Sequence, residues 1–194
     1  MIAFIRGQFV FKSPAVVHVD VNGVGYECQI SLNTYSSIQH LETGLLYTHL
    51  HIREDSHTLY GFSEVIEKEL FLQLISVSGV GAATARMMLS SMKPEEITRA
   101  IAQGNTRQLE SIKGIGKKSA ERIVLELRDK MTKLRPDTNI SPLINNTLEQ
   151  DALNALITLG IPRNAAEQAI QRVLKADPAT TAVEDIIKKA LKTL

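Results

Sequence analysis

Leu74-Ile75-Ser76-Val77-Ser78-Gly79-Val80-Gly81-Ala82-Ala83-Thr84-Ala85 is matched, 35 positions later, by Leu109-Glu110-Ser111-Ile112-Lys113-Gly114-Ile115-Gly116-Lys117-Lys118-Ser119-Ala120. Both copies have the form apolar-x-Gly-apolar-Gly-x-x-[Ser/Thr]-Ala, and an apolar run at helical spacing follows each. Two glycines permit a sharp bend between helices, with positive φ where the bend needs it. Without side chains there, an anion can approach the main-chain N–H groups. The helix that follows begins at the bend, so its unpaired N–H groups and the positive end of its dipole face the same anion. The apolar residue between the glycines, Val80 or Ile115, is expected to pack inward and hold the bend. Such a site grips phosphate and ignores base identity.

The pattern resembles the helix-hairpin-helix motif. The second copy is the stronger, because Lys117 and Lys118 follow its glycines and Arg122 lies one turn later. The first copy has Ala82-Ala83 there, so it rests on its backbone, helped by Arg86. A single Gly-x-Gly is more often a plain helix–helix turn. Two copies at matched positions in a basic segment favour a DNA backbone instead. No third glycine follows and no strand precedes, so the dinucleotide fingerprint is excluded. The candidate DNA contacts are Gly79, Val80, Gly81, Arg86, Gly114, Ile115, Gly116, Lys117, Lys118 and Arg122.

Charge agrees with that placement. The chain of 194 residues carries a net +1. Residues 1–63 hold 3 Lys/Arg against 5 Asp/Glu, residues 64–135 hold 13 against 9, and residues 136–194 hold 6 against 7. The excess of cations lies in the middle third, where an anionic partner is expected. No apolar run approaches the roughly 20 residues of a membrane span, and no signal-peptide pattern opens the chain, so a cytoplasmic protein without membrane contact is expected. The single Cys28 reads as a small apolar strand residue.

Outward from the repeat, the chain divides into four parts. Residues 1–63 carry short β-branched and aromatic runs, with Asn22-Gly23 as a hairpin signal. An OB-like β-barrel is the natural candidate, and an SH3-like barrel fits the pattern nearly as well. Residues 64–135 are predicted to be all-α and to hold the tandem bends. Pro94 suits a first helical turn, and Gly104 a helix stop. Residues 136–147, with two prolines and three asparagines, read as a flexible linker. Residues 148–194 predict a three-helix bundle, its third helix opened by the Thr181-x-x-Glu184 capping pattern. The fold class is multidomain α+β.

Several strings add a resemblance. Met1-Ile2 with Arg6-Gly7, Asn22-Gly23-Val24-Gly25-Tyr26-Glu27, Arg53-Glu54-Asp55 leading to Leu59-Tyr60-Gly61-Phe62, and Gly114-Ile115-Gly116-Lys117-Lys118-Ser119-Ala120-Glu121-Arg122 resemble the bacterial RuvA family. The resemblance covers essentially the whole chain. It implies a homotetramer, alone or as two tetramers face to face, on an opened four-way (Holliday) junction. It further implies a RuvB-type hexameric ATPase as motor and a RuvC-type nuclease sharing the junction. The third domain would contact the motor through Leu156, Leu159 and Ile161. Two departures stand out: the family tends to carry Pro-Lys where Ala82-Ala83 stands, and an aromatic where Ile161 stands.

Glu54-Asp55 is, taken alone, a solvated hairpin turn. In a tetramer it becomes an acidic pin, repelling phosphates where strands exchange. A metal-binding carboxylate pair lacks supporting residues, and His49, His51 and His57 read as exposed strand residues before they read as ligands. No cofactor, metal or catalytic residue is expected. No Gly-x-x-x-x-Gly-Lys-[Ser/Thr] occurs, so the energy for any DNA movement must come from a partner. The competing class is a repair enzyme with hairpin motifs, a glycosylase or nuclease, for which Asp129 and Lys130 would be available.

Overall fold

The computed structural model describes residues 1–133, 148–176 and 182–193. The linker expected at 136–147 and Thr181 of the expected capping pattern lie outside them. The chain forms two compact units, 1–136 and 137–194.

The first unit opens with five strands, β1 (Phe4–Lys12), β2 (Val16–Val21), β3 (Val24–Gln29), β4 (Thr43–Ile52) and β5 (His57–Phe62). They close a barrel in the order β1-β2-β3-β5-β4, with β1 returning to β4. Every pairing is antiparallel except β3 with β5, which run parallel at Cys28↔Leu59 and Gln29↔Tyr60. This is the OB-like arrangement. Asn22 (φ 52°) and Gly23 (φ 88°) form the expected two-residue turn, and Asp20 Oδ1 accepts from the Gly23 N–H at 2.7 Å. Val17, Val19, Cys28 and Leu46 fill the interior. Burial, and then the charge of Glu27, push the Cys28 thiol to about 12, so it stays a protonated packing residue.

A short helix, α1 (Leu32–Ile38), sits between β3 and β4. Its Ser31 cap accepts from the Thr34 N–H, and Ile38 plugs the barrel core.

Helices follow β5 without a break: α2 (Val65–Ile75), α3 (Ala82–Ser91), α4 (Pro94–Ala102), α5 (Thr106–Glu110) and α6 (Lys117–Lys133). Pro94 opens α4, where Glu96 Oε2 accepts from the Lys93 N–H, and Gly104 (φ 69°) follows its end, as expected. The barrel interior is a core of its own, and the helices pack around a second one that Tyr60 and Phe62 of β5 join. Phe71 of α2 packs on Tyr60 and Phe62 of β5, with ring centroids 4.9 and 5.0 Å apart. Each such buried ring contributes roughly 1.5–3 kcal/mol. Beside it lies a buried carboxylate. Glu67, 2% exposed, accepts from Ser31 Oγ and from Thr34 Oγ1 (2.6 Å). Thr34 Oγ1 in turn accepts from the Ser63 N–H at 3.1 Å. One side chain of α2 thereby holds the cap of α1 and the end of β5.

The second unit contains α7 (Leu148–Thr158), α8 (Arg163–Ala176) and α9 (Val183–Thr193), packed around Leu153, Leu156, Ile170, Val173 and Ile186. No helix among the described residues is long and apolar enough to cross a membrane.

Burial pushes the Glu67 carboxyl above its ordinary range, against the hydrogen bonds from Ser31 and Thr34, while Glu64 adds a smaller push. The folded chain then keeps a proton that the unfolded chain releases. Stability from this group is greatest below the ordinary Glu range and falls as pH rises through the raised pKa. Urea titrations between pH 4 and 7 should show this slope flattened in Glu67→Gln. Glu67→Ala, which orphans two buried hydroxyls, is expected to cost about 2–4 kcal/mol at any pH.

Candidate nucleic-acid interface

The two Gly-x-Gly bends are built alike. In the first, between α2 and α3, the Val80 N–H donates to the Val77 carbonyl at 3.0 Å around Gly79 (φ 88°). In the second, between α5 and α6, the Ile115 N–H donates to the Ile112 carbonyl at 3.0 Å around Gly114 (φ 92°). Both are four-residue turns that need positive φ at the third position. Val80 and Ile115 are buried, as expected for the residues that hold the bends, and Val77 and Ile112 are buried with them. Gly79, Gly81, Gly114 and Gly116 are all exposed. A methyl group built on any of the four meets no atom within 4 Å. The apolar plugs therefore point in, and the glycine backbone points out.

Gly81 supplies no side-chain cap to α3, so the N–H groups of its first turn await an outside acceptor. The bends also share a surface. Ser78 and Gly79 of the first line one groove, of about 450 Å³, with Lys118, Ser119 and Arg122 of the second. Arg122 Nη1 spans the two, donating to the Ser78 carbonyl at 3.3 Å, while its Nε lies 3.5 Å from Glu126 Oε1. Lys117 and Lys118 are exposed and join no ion pair among the described residues. The groove thus sets the exposed backbone of Ser78 and Gly79 beside Lys118 and Arg122, with Glu121 and Leu125 also on its wall, and two cations against one carboxylate suit a polyanion.

Arg86 departs from expectation. It is half-buried, and its Nη1 donates to the Ala15 carbonyl (3.0 Å) and to Gln29 Oε1 (2.5 Å), both in the barrel. Its Nη1 is engaged with the barrel, and Arg86 does not line the groove.

Glu54 and Asp55 stand at the exposed tip between β4 and β5, where the Arg53 N–H donates to the Ser56 carbonyl at 2.8 Å. Neither carboxylate joins an ion pair among the described residues. Below the tip, His51 accepts from Arg53 Nε at 3.1 Å and packs edge-on to Tyr60. His49 packs on Phe71, and burial, then His51 and Lys68, lower its pKa. No group of three or more His, Cys, Asp or Glu side chains among the described residues is placed to hold a metal.

Residues 1–61 match the family model described as RuvA N terminal domain, residues 71–129 the SAM-like helix-hairpin-helix tandem, and residues 147–194 the RuvA C-terminal domain. The chain is 49% identical over 194 residues, the full length of both, to the Holliday junction branch migration complex subunit RuvA of Christiangramia forsetii. Its identity to the protein of that name in Flavobacterium psychrophilum is 48%, again over the full length of both. With that of Cytophaga hutchinsonii it is 44% over 200 residues, 99% of each chain.

The chain belongs to the RuvA family.

As a RuvA-family chain it was expected to present Leu156, Leu159 and Ile161 to a motor, and the structure divides these three. Leu156 is fully buried in the core of the C-terminal unit, so it cannot be a contact residue as expected. The helical period had placed it correctly on the apolar face of α7, but that face turns toward α8 and α9. Leu159 is 61% exposed, and Ile161 is half-buried against the core. Both are fixed by the end of α7, where Gly160 (φ 90°) lets the Ile161 N–H donate back to the Leu156 carbonyl at 3.1 Å. Ile157, 39% exposed, adjoins them and escaped the sequence reading.

Because Gly79 and Gly114 hold left-handed backbone, Gly79→Ala and Gly114→Ala should each cost about 1–2 kcal/mol of stability in urea unfolding. Gly81 (φ −82°) lies outside that region. For Gly81→Ala, lost capping and reduced freedom of the unfolded chain should offset, leaving stability within about 0.5 kcal/mol.

Proposed function

We propose that this chain binds four-way DNA junctions by shape, holds them open and recruits an ATP-driven motor for branch migration, without catalytic chemistry of its own. The observation that carries the reading is the shared groove. Ser78 and Gly79 of the first bend line it together with Lys118, Ser119 and Arg122 from the start of α6, the helix that the second bend opens; Lys117 and Lys118 are exposed and join no ion pair among the described residues. Such a surface reads the spacing of phosphates and leaves bases alone. Its contacts are the backbone of Gly79–Gly81 and Gly114–Gly116 together with Lys117, Lys118 and Arg122, with Val80 and Ile115 acting as plugs behind the amides. The names of the relatives support the junction and the branch-migration complex as its setting.

The working form on this reading is a homotetramer, alone or paired with a second, in the cytoplasm. Exposed Phe4 and Ile52 on the barrel, with Val65 and Ile66 opening α2, are the apolar surface such an assembly would cover. Four β4–β5 tips would gather eight carboxylates at the crossover, where they push strands apart. Leu159 and Ile161, joined by Ile157, serve as the motor contact, and a RuvC-type nuclease is a further partner on the junction.

A gel shift comparing a four-way junction with linear duplex of the same arm sequence, at several salt concentrations, tests the reading. The junction should bind tighter, with a log–log salt slope of about −0.9 per phosphate neutralised. Equal affinity for both would sink the junction reading. Lys117→Ala with Lys118→Ala should weaken binding and flatten the slope by about two phosphates' worth. Glu54→Ala with Asp55→Ala should bind at least as tightly as the parent yet alter motor-driven processing. Weaker binding would contradict a repulsive tip.

A further inference from the structure

Arg86 is the only Lys or Arg in α3, and it is turned to the barrel. Its two acceptors belong to different segments: Ala15 directly precedes β2, and Gln29 ends β3. A little further along, α3 is held again. The Leu32 N–H donates to Ser90 Oγ at 3.1 Å, and Asn33 Nδ2 donates to the carbonyls of Leu89 (2.6 Å) and Met92 (3.0 Å), closing the helix's C-terminal end. The half of α3 remote from the bend is thereby tied to α1, and Arg86, at the middle of the helix, ties it to the barrel. The other half begins at Gly81, and its first-turn N–H groups are those of the first bend. A helix this short, roughly 15 Å long, transmits orientation as a rod.

We propose that Arg86 is a positioning residue. With Gln29 and Asn33 it fixes the first bend relative to the β4–β5 tip, and this fixed geometry is part of the preference for a four-way junction over linear duplex. The inference rests on the junction-binding reading above. The first bend carries Ala82 and Ala83 where the second carries two lysines, so its grip depends on where its amides point. On a linear duplex each bend can settle on phosphate separately. Arms that meet at a crossover hold their phosphates at set mutual distances, and a preorganised array is rewarded there.

Arg86→Met removes the clamp and a charge, whereas Gln29→Met removes an acceptor and leaves every charge in place. Both should lower junction affinity about five- to tenfold, the scale of one ordinary net hydrogen bond, with duplex affinity held within about twofold. The salt slope on the junction should stay as in the parent, because no phosphate contact is lost. Arg86→Lys should restore part of the preference. If Arg86→Met instead weakens junction and duplex alike and flattens the slope while Gln29→Met binds as the parent, Arg86 touches phosphate and the inference is overturned. Unchanged preference in both variants overturns it too.

A DNA-free arm separates this inference from the functional reading. Spin labels at Ser56→Cys and Ala83→Cys report the distance from tip to bend, with the buried Cys28 left unlabelled. The distance distribution should be narrow in the parent and Arg86→Lys backgrounds and broader with Arg86→Met or Gln29→Met. A distribution equally narrow in all four refutes the positioning role whatever the DNA result. A parent chain without junction preference removes the functional reading and leaves the label distances to decide the role of Arg86.

Discussion

The structure turns on an opposition inside three residues. In Gly79-Val80-Gly81 and Gly114-Ile115-Gly116 the central side chain is drawn into the core, and the backbone on either side is forced outward by the same movement. Exposed amides in an ordinary loop would wander. Here the buried valine or isoleucine anchors them, and the turn hydrogen bond from its own N–H fixes their direction. Left-handed backbone at the first glycine makes this possible without a clash. On the proposed reading, a phosphate site made this way needs few charges. That explains how the first bend can keep its form with two alanines where the second has two lysines.

Several contacts in the first unit hold the bends steady. α2 leads into the first of them and is fastened to the barrel by Phe71 and by the Glu67 cluster. α3 leads away from it and is fastened by Arg86, Asn33 and Ser90. Arg122 then bridges to the second bend. The polar links are local in space but span 29 to 71 residues in sequence. That combination makes the barrel and hairpins a single unit and not two beads on a string.

This explains what could be read in advance and what could not. The strands, the Asn22-Gly23 turn, the bends with their plugs and the helical tail follow from periods and turn chemistry that a sequence displays directly. α1 was overlooked because seven residues with two serines carry little helical signal, and its support comes from Glu67 and from contacts with α3. Arg86 was misassigned because a sequence shows a charge but not its acceptors, 57 and 71 positions away. Leu156 was misassigned because an apolar stripe says that a helix packs and leaves open whether against its own bundle or against a partner. The exposed backbone of the bends was legible in pattern, but the groove that Ser78 and Gly79 share with α6 depends on tertiary packing and was not.

The turn at Glu54-Asp55 has a consequence for range. Its two carboxylates are exposed and join no ion pair among the described residues, and in solvent, screening at physiological ionic strength fades their field over about 8 Å. On the proposed reading they disturb only the nucleotides that come right up to the tip. Arms lying farther out are shielded by dissolved ions. A short-sighted acidic projection can therefore sit on a protein that clings to DNA without weakening its overall hold.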